Sequence, residues 1–460
     1  MTAPPLLLEH GAVLTLDPQN RRFDEGWVYI EDGRVVSLGG GRPPALPPDT
    51  ERASFRGKAL LPGFVNCHTH LFLSVLRGTF TGLPLYDWLK RTYSAVSLLT
   101  EEDCRAAAAL GCLELVRSGV TTFVDHHFMN PRPGLGRAIL DAYRRVGIRG
   151  FFSRGMMDMG DLCPAEGLER AGDVIEECRG LLAELKAPVE RKEVGVFIGP
   201  NSPGYNVTTE SLQACSEFAR DTGFKMTVHV SETVHVLEDV RRRYGHGGVV
   251  DYLEEIGVLG PEVLAAHVIH VSPGEIDLLA SRGVSAAYNP VANMYLGDGV
   301  APVGDLTAAG VQVGLGTDGA ASNNSLDFFE TMKFGSLLQK AHHLDPTRLH
   351  ARETLRMATL GGAGCLGLED EIGSIEAGKR ADLIIVRPSG RAHTTPLHDL
   401  EAQLVYSAKS SDVETVLVDG RFVLRDGELV TTSEEDIIGE AEASGERMRR
   451  GFQRIWGSSS

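Results

Sequence analysis

Apolar runs of strand length alternate with amphipathic stretches of helical length through the middle of this chain. Strands that are apolar almost throughout are typical of a parallel sheet whose two faces are both covered by helices. The chain contains eight such runs, which matches a closed (β/α)8 barrel, with an open doubly wound sheet as the alternative. The runs are GFVNCHTH (63–70), TTFVDHH (121–127), RGFFSRG (149–155), EVGVFIGPNSP (193–203), KMTVHVSE (225–232), VLAAHVIHV (263–271), GVSAAYNP (283–290) and QVGLGTDG (312–319).

The stretches between the runs carry the start and stop signals of helices. TEEDCRAAAALGCLELVRSG (100–119) and TTESLQACSEFARDTG (208–223) each begin at Thr, have acidic residues near the start and end at Gly. A Thr hydroxyl accepts a hydrogen bond from a free N–H of the first turn, and Gly readily adopts the left-handed conformation that ends a helix. We therefore predict helices here, which supports the alternation of strand and helix.

The two ends of the chain differ from its middle, because short apolar strands are joined there by tight turns. Residues 5–60 include WVYIEDGRVVSLG, and residues 381–430 include VETVLVDGRFVLRDGELV. Their Asp-Gly dipeptides are typical of two-residue hairpin turns. Chain ends often lie close together, so we predict one β-sandwich built from both. The α/β chain is thus divided into a β-sandwich from 1–62 and 375–430, a TIM barrel at 63–374, and a C-terminal helix and tail at 431–460.

Composition and charge narrow the class of protein. With 42% hydrophobic and 23% charged residues, the chain has the composition of a globular protein. The formal net charge of −17 disfavours nucleic-acid polymers and anionic membranes as partners. No apolar stretch reaches the ~18 residues that cross a bilayer, and the start of the chain lacks a signal-peptide pattern. The seven cysteines include no C-x-x-C pair, which is typical of thiols in a reducing compartment. We therefore expect a cytoplasmic protein that acts on a small molecule.

Side chains that can bind a metal or carry a proton stand near the carboxyl ends of four predicted strands. They are His68 and His70 in the first run, His229 and Glu232 in the fifth, His267 and His270 in the sixth, and Asp318 in the eighth. Histidines two residues apart on a strand point to the same face. Because the carboxyl ends of barrel strands meet at one face, we expect these side chains to form one site.

Imidazole and carboxylate groups together suit zinc or ferrous iron better than calcium or magnesium. His68 and His70 alone could equally be hydrogen-bonded histidines at the barrel mouth, but four strand ends together favour a metal site. The fourth run has no Lys or Glu at its carboxyl end to bridge a second ion, since Lys192 and Glu193 stand at its start. We predict one divalent ion, with zinc as the first choice and ferrous iron as the alternative.

The longest motifs resemble the amidohydrolase superfamily, in particular its cytosine deaminase-like branch, which hydrolyses amino-substituted nitrogen heterocycles. They cover nearly the whole chain: LPGFVNCHTH, HVSET, AAHVIHVSPGEIDLLASRGVSAAYNPVANMYLGDGVAPV, VGLGTDGAASNNSLDFFETMK and GSIEAGKRADLIIV. Within this branch the chain is most similar to S-adenosylhomocysteine and methylthioadenosine deaminases, with 8-oxoguanine deaminases and s-triazine hydrolases next. The resemblance implies a metal-dependent enzyme that releases ammonia, and homo-oligomers are common in the family.

The resemblance also implies roles for individual residues. Four matching positions become metal ligands: His68, His70, His229 and Asp318. Asp318 also takes a proton from the attacking water, Glu232 protonates a ring nitrogen, and His267 polarises the water or binds the forming oxyanion. Ammonia leaves poorly as an amide anion, so proton delivery is required.

Substrate contacts are implied for Trp88 in the first loop, Arg154 in SRG and Asn201 in GPNS, together with Glu232 and His267. Each has a structural alternative. Trp88 could close the barrel mouth, Arg154 could pair with a loop acid, and Asn201 could order a turn.

Two departures from the adenosine-deaminating relatives weaken a nucleoside substrate. Ser97 stands near the place of their ribose-binding carboxylate, and Asn201 replaces their His. His126 and His127 resemble the second-strand end of 8-oxoguanine deaminases, although adjacent strand residues point to opposite faces. Asn293, in NPVANMYL, is interpreted as a loop-ordering residue.

Three classes of function follow. The first is a hydrolytic deaminase of an adenosine thioether or a purine base. The second is a deaminase of 8-oxoguanine, isoguanine or a pterin, or a hydrolase of amino- or chloro-substituted s-triazines. The third is a metal-free scaffold without activity, which the complete set of ligand and proton-transfer residues argues against.

Overall fold

The computed structural model of the protein describes residues 5–160, 162–185 and 194–457. Lys192 and Glu193, which stand at the start of the fourth predicted run, lie outside the described residues. The strands are β1 Leu6–Leu14, β2 Arg22–Glu31, β3 Arg34–Gly40, β4 Glu51–Ser54, β5 Ala59–Pro62, β6 Phe64–His70, β7 Val120–His127, β8 Arg149–Met156, β9 Val194–Pro200, β10 Met226–Val230, β11 Val263–His267, β12 Ser285–Tyr288, β13 Gln312–Leu315, β14 Asp318–Gly319, β15 Leu383–Val386, β16 Val413–Val418, β17 Arg421–Arg425 and β18 Glu428–Leu429.

The middle of the chain forms a parallel sheet in which strands β6 to β13 lie side by side in chain order. These strands correspond in order to the eight predicted runs. The last run is divided at Gly316 and Thr317 into β13 and β14, and β14 pairs in parallel with β6, which closes the sheet. Every residue of β6 through β12 is buried, as expected of strands covered on both faces. The predicted (β/α)8 barrel is confirmed.

The chain ends build a second sheet, here called the end sheet. Its order is β18-β17-β16-β15-β5-β1-β2-β3, with β4 paired to β1, so the strands of the two chain ends form two adjacent halves of one hydrogen-bonded sheet. β15 joins the two halves, because it pairs antiparallel with β5 on one side and β16 on the other. The Asp-Gly turns behave as predicted: Asp419 and Gly420, between β16 and β17, have φ of 50° and 70°.

Helices fill the connections between barrel strands and complete the chain. They are α1 Leu85–Val96, α2 Glu101–Arg117, α3 Leu135–Val146, α4 Ala171–Glu184, α5 Thr209–Thr222, α6 Val234–Tyr244, α7 Val249–Glu255, α8 Pro273–Ser281, α9 Pro290–Leu296, α10 Val303–Ala308, α11 Phe328–His343, α12 Ala351–Arg356, α13 Gly362–Cys365, α14 Leu400–Tyr406 and α15 Glu434–Trp456. Both predicted capped helices are present as α2 and α5. Thr100 forms a capping box with Asp103 at the start of α2, and Thr208 caps α5.

The C-terminal helix α15 packs against α2. Asp103 accepts hydrogen bonds from Ser444 and Arg447, and Phe80 contacts the rings of Phe452 and Trp456. Within the described part of the chain, no helix has the length and apolar character needed to cross a membrane.

Candidate active site

Two barrel strands and the short strand β14 carry the predicted ligands to the carboxyl face of the barrel. His68 and His70 end β6, His229 lies in β10, and Asp318 begins β14. The parallel pairing of Asp318 with Thr69 fixes the register between the first and last strands. Asp318 has φ of 59°, a conformation that is unfavourable for a residue other than glycine and is typical of functional sites.

The structure brings the four predicted ligands together; we call this set, His68, His70, His229 and Asp318, the ligand cluster. The carboxylate oxygen Oδ1 of Asp318 lies 3.2 Å from His70 Nε2 and 3.7 Å from His68 Nε2. His229 Nε2 lies 3.4 Å from His70 Nε2. Ligand atoms of His68 also lie within 4.8 Å of those of both His229 and His267. His267 therefore lies beside the ligand cluster, and these distances alone do not distinguish it from the four predicted ligands.

Hydrogen bonds at Nδ1 hold three of the imidazoles with Nε2 directed into the cluster. The acceptors are the main-chain oxygen of His126 for His70, the main-chain oxygen of Asn201 for His229 at 2.9 Å, and Asn293 Oδ1 for His267 at 2.8 Å. A carbonyl acceptor requires the proton on Nδ1, which leaves a lone pair on Nε2, the usual arrangement of metal-binding histidines. His68 Nε2 and His267 Nε2 are buried and have no hydrogen-bond partner among the described residues. These donor atoms fit a divalent ion with nitrogen and oxygen ligands.

The protonation states of His68, His229 and Asp318 agree with that fit, whereas for His70 the effect of burial is outweighed by Asp318, which raises the pKa of this imidazole. Burial, reinforced by His267 and His70, lowers the pKa of His229 to about 3, and burial lowers the pKa of His68 as well. Burial alone would raise the pKa of Asp318, but the hydrogen bond with His70 and the surrounding imidazoles hold it well below its usual range. Neutral His68 and His229 beside an ionised Asp318 are the forms that bind a metal ion.

Glu232 faces this cluster from the loop after β10. Its Oε1 lies 3.6 Å from His267 Nε2, and 12% of its side chain is exposed. Burial, and secondarily the charge of Asp318, raises the pKa of Glu232 to about 8. A carboxyl group that keeps its proton near neutral pH can act as a general acid.

Three members of the cluster, His70, His229 and Asp318, line a cavity at the carboxyl face of the barrel. Trp88 and Asn201, two of the predicted substrate contacts, line this cavity together with Glu232 and His267. Trp88 Nε1 donates to the main-chain oxygen of Ala321 at 3.3 Å. A larger depression, lined by the strand-start residues Lys225, Ser285 and Gln312, contains none of the predicted site residues.

Arg154 does not line the cavity, so the structure does not bring this predicted substrate contact to the site. Its guanidinium is buried and donates to Glu169 at 2.6 Å and to Glu177 at 2.8 Å. The surroundings of Arg154 therefore match the structural alternative, in which this arginine pairs with acidic residues of the protein. His126 and His127 are also fully buried outside the cavity lining, and His126 Nε2 donates to the main-chain oxygen of Gly199.

Two residues near the site were not assigned to it from the sequence. Asn293, interpreted as loop-ordering, is fully buried and contacts His267 Nδ1. Asp298 is 7% exposed, and its Oδ2 has no hydrogen-bond partner among the described residues. Burial and the charge of Glu232 raise the pKa of Asp298 to about 8. The sequence does contain a signal for Asp298, because it is framed by glycines as Asp318 is.

Comparisons with known proteins agree with this site. The chain is 41% identical over 423 residues to a 5′-deoxyadenosine deaminase of Methanothermobacter thermautotrophicus, covering 91% of this chain and 94% of the relative. It is 39% identical to a 5-methylthioadenosine/S-adenosylhomocysteine deaminase of Desulforudis audaxviator, covering 92% and 95% of the two chains. The crystal structure of an adenosine deaminase from Xanthomonas campestris with bound zinc superposes with a TM-score of 0.88 at 29% identity, covering 97% and 98% of the two chains.

The family model that matches this chain spans both sheets. It covers residues 59–423, from β5 of the end sheet through the whole barrel to β17. The matched region therefore includes every residue of the ligand cluster and of the cavity described above. The strand ends of the barrel bring three histidines and an aspartate together, and the relatives are matched over almost their full lengths. This chain therefore belongs to the amidohydrolase family.

Proposed function

We propose that this protein is a zinc-dependent hydrolytic deaminase that replaces the 6-amino group of a 5′-modified adenosine with oxygen and releases ammonia. The names of the relatives, which are deaminases of 5′-deoxyadenosine and of adenosine thioethers, support this substrate class. The observation that carries the proposal is the position of Glu232. A carboxyl group that keeps its proton lies 3.6 Å from His267 and faces the ligand cluster within one cavity.

The residues proposed to hold the ion are those of the ligand cluster. Three imidazoles and one carboxylate suit zinc, and the zinc in the Xanthomonas campestris structure supports that choice over ferrous iron. When bound, such an ion makes hydroxide available near neutral pH by lowering the pKa of water.

The protein's own groups then move the protons of the reaction. Asp318, which is ionised, accepts a proton from water as its oxygen adds to C6 of the purine ring. Glu232 donates its proton to the adjacent ring nitrogen, so that negative charge does not accumulate on the ring. Asp318 then passes the proton it took from water to the amino nitrogen, the C–N bond breaks, and ammonia leaves. As the C6 carbonyl forms, the C6 hydroxyl returns a proton to Glu232. Water supplies the oxygen of the product.

The remaining cavity residues are proposed to position the substrate. His267 is held by Asn293 with Nε2 toward Glu232, where its lone pair can accept a hydrogen bond from the hydroxyl group added to C6. Trp88 is buried at the cavity wall and offers an aromatic face to the ring. Asn201 donates through its side chain to Tyr93 Oη at 3.3 Å, which leaves its amide oxygen at the wall to bind a substrate donor.

The proposal is tested by measuring ammonia release and bound metal together. The panel contains 5′-deoxyadenosine, 5′-methylthioadenosine, adenine, guanine, 8-oxoguanine, a pterin and an aminotriazine. Turnover confined to the adenosines, by protein that holds one zinc per chain, is expected. Turnover of guanine, the pterin or the triazine with inert adenosines would replace the proposed substrate class by the alternative one. A Glu232→Gln variant that retains zinc serves as the control for adventitious activity.

We also propose the wider setting predicted from the sequence. All seven cysteines are free thiols, which supports a reducing, cytoplasmic compartment. The proposed reaction on adenosines belongs to purine metabolism. The proposed extent of the barrel domain, 63–374, is supported by the positions of β6, the first barrel strand, and β15, the first strand of the second chain end.

A further inference from the structure

The cavity changes character between its inner and outer ends. The inner end is formed by the site histidines, Glu232 and Asp318. The rest of the wall includes a set of apolar and aromatic side chains, here called the outer wall. Its members are Leu85, Tyr86, Leu89, Tyr205, Val236 and Leu296. Within the described residues, the cavity lining contains no Lys or Arg.

The proposed chemistry fixes which part of the substrate meets the outer wall, and this inference rests on the proposed function. The carbon that loses the amino group must lie beside Glu232 and the ligand cluster. In adenosine, the 6-amino group and the sugar are attached at opposite ends of the purine. The 5′ substituent, which is the farthest group from C6, is therefore directed away from the cluster and toward the outer wall.

Side chains from four connections between barrel strands join to form the outer wall. The rings of Tyr86, from α1, and Tyr205, from the segment after β9, stack with centroids 4.8 Å apart at 11°. The Tyr86 hydroxyl donates to Asp239 Oδ2 of α6 at 2.6 Å, so its polar atom is already used. Asp239 also pairs with Arg242, and it does not line the cavity. Apart from the hydroxyl of Tyr205, the wall thus presents rings and alkyl groups to a ligand.

The nearby cations are engaged with acids of the protein. Arg154 lies outside the cavity and donates to both Glu169 and Glu177. His235 packs near the Tyr86 ring at 5.6 Å, but its Nδ1 lies 3.5 Å from Glu238. A carboxylate or phosphate at the outer wall would lose water without gaining a cation, which is strongly unfavourable.

We propose that the outer wall selects adenosines whose 5′ substituent is uncharged and apolar, such as hydrogen or a methylthio group. It discriminates against adenosine thioethers that end in an amino acid and against 5′-phosphates. A methylthio group gains burial against Leu89, Val236 and Leu296, whereas an amino acid brings a carboxylate that the wall leaves unpaired.

The test compares kcat/KM for ammonia release from 5′-deoxyadenosine, 5′-methylthioadenosine, S-adenosylhomocysteine and adenosine 5′-monophosphate by the zinc-loaded enzyme. We expect the first two to exceed the last two at least tenfold. Equal or better turnover of S-adenosylhomocysteine would overturn the selectivity while leaving the proposed deaminase function standing. Failure of all four, with one zinc bound per chain, would overturn the proposed function and this inference with it.

Variants of the outer wall sharpen the result. Leu89→Arg adds a cation at a partly buried position, so the ratio of S-adenosylhomocysteine to 5′-methylthioadenosine turnover should rise at least tenfold. Leu89→Met, which stays apolar, should keep the wild-type ratio. Leu296→Arg is the second variant should the first fail to fold, because Leu296 lies in a different connection. An unchanged ratio in a folded arginine variant would contradict the assignment of the outer wall to the 5′ group.

Discussion

Buried charged groups occupy both ends of the barrel, and the two sets are organised differently. At the start of β8, Arg149 donates to Asp382 at 3.1 Å and to Asp419 at 2.8 Å, and Arg380 donates to Asp419 at 2.6 Å. We call these four residues the basal ion cluster; it joins the barrel to the end sheet. At the other end, the ligand cluster and Glu232 lie beside histidine nitrogens that have no hydrogen-bond partner among the described residues.

The difference separates a structural use of buried charge from a chemical one. In the basal ion cluster each carboxylate meets an arginine: the two arginines outweigh burial and lower the pKa of Asp419, whereas burial outweighs Arg149 and raises the pKa of Asp382. At the site no arginine among the described residues lines the cavity, and burial raises the pKa of Glu232 and of Asp298 to about 8, reinforced by Asp318 for the first and by Glu232 for the second. Carboxyl groups that stay protonated beside histidine nitrogens without hydrogen-bond partners are unfavourable for stability. The same arrangement is suited to ligand binding and proton transfer.

The largest expected effect comes from removing a ligand. His68→Ala deletes the imidazole whose Nε2 is buried without a partner, so zinc should fall well below one per chain and kcat/KM should drop by about 10⁴-fold or more, beyond the usual range for a single proton-transfer group. Metal analysis of the purified variant together with ammonia release tests both. Wild-type zinc content in the variant would contradict the ligand assignment.

Glu232→Gln is expected to follow, with normal zinc content but turnover reduced by roughly 10²–10⁴-fold, the usual contribution of a general acid. The amide keeps the shape of the side chain and cannot donate the acidic proton. Near-normal kcat with unchanged zinc would remove Glu232 from the proposed proton transfer.

The same residue predicts a pH dependence. Since the protonated form donates, kcat/KM should be full below the pKa of Glu232 and fall as the pH rises through about 8. The pH profile of the wild-type enzyme tests this. A limb that rises through the same range would mean that the ionised carboxylate is the active form.

The sequence predicts the ligand cluster better than it predicts the basal ion cluster. His68, His70, His229 and Asp318 were among the candidates predicted for one site because a barrel brings strand ends together, and the family resemblance then assigned them the role of ligands. Arg149 carried no such signal, because its partners lie more than two hundred residues away in the end sheet.

Arg154 shows the opposite limit of sequence reasoning. Its match to an arginine of the family that the chain resembles favoured a substrate contact. Which acid a long side chain reaches, however, depends on how the chain folds after β8, and that segment brings Glu169 and Glu177 to Arg154. Asn293 was interpreted as a loop-ordering residue for a similar reason. Its contact with His267 depends on how closely the chain that follows β12 approaches the end of β11.

Asn293→Ala is expected to have the next smaller effect on activity. It removes the acceptor that fixes Nδ1–H of His267 and leaves the ligand cluster in place, so a loss of about 10–100-fold in kcat is expected with zinc retained. Asn293→Asp, which keeps an acceptor oxygen, should recover part of that loss. An equal loss in both variants would mean that Asn293 acts through packing and not through the tautomer of His267.

The smallest effect on catalysis, and the one that divides the two clusters most clearly, is expected from Arg149→Met. Removing the cation leaves Asp382 buried without its main partner, so the free energy of unfolding should fall by about 3–5 kcal/mol, while kcat per folded molecule stays near wild type because Arg149 lies at the amino end of its strand. Urea unfolding and ammonia release measure the two quantities separately. The matched variant Arg149→Met with Asp382→Leu removes both charges and should regain much of the lost stability, since the cost lies in the unpaired carboxylate. If the double variant is no more stable than the single one, the packing of the arginine side chain, and not its charge, stabilises this end of the barrel. That result would contradict the distinction between charges paired for stability and charges used for chemistry.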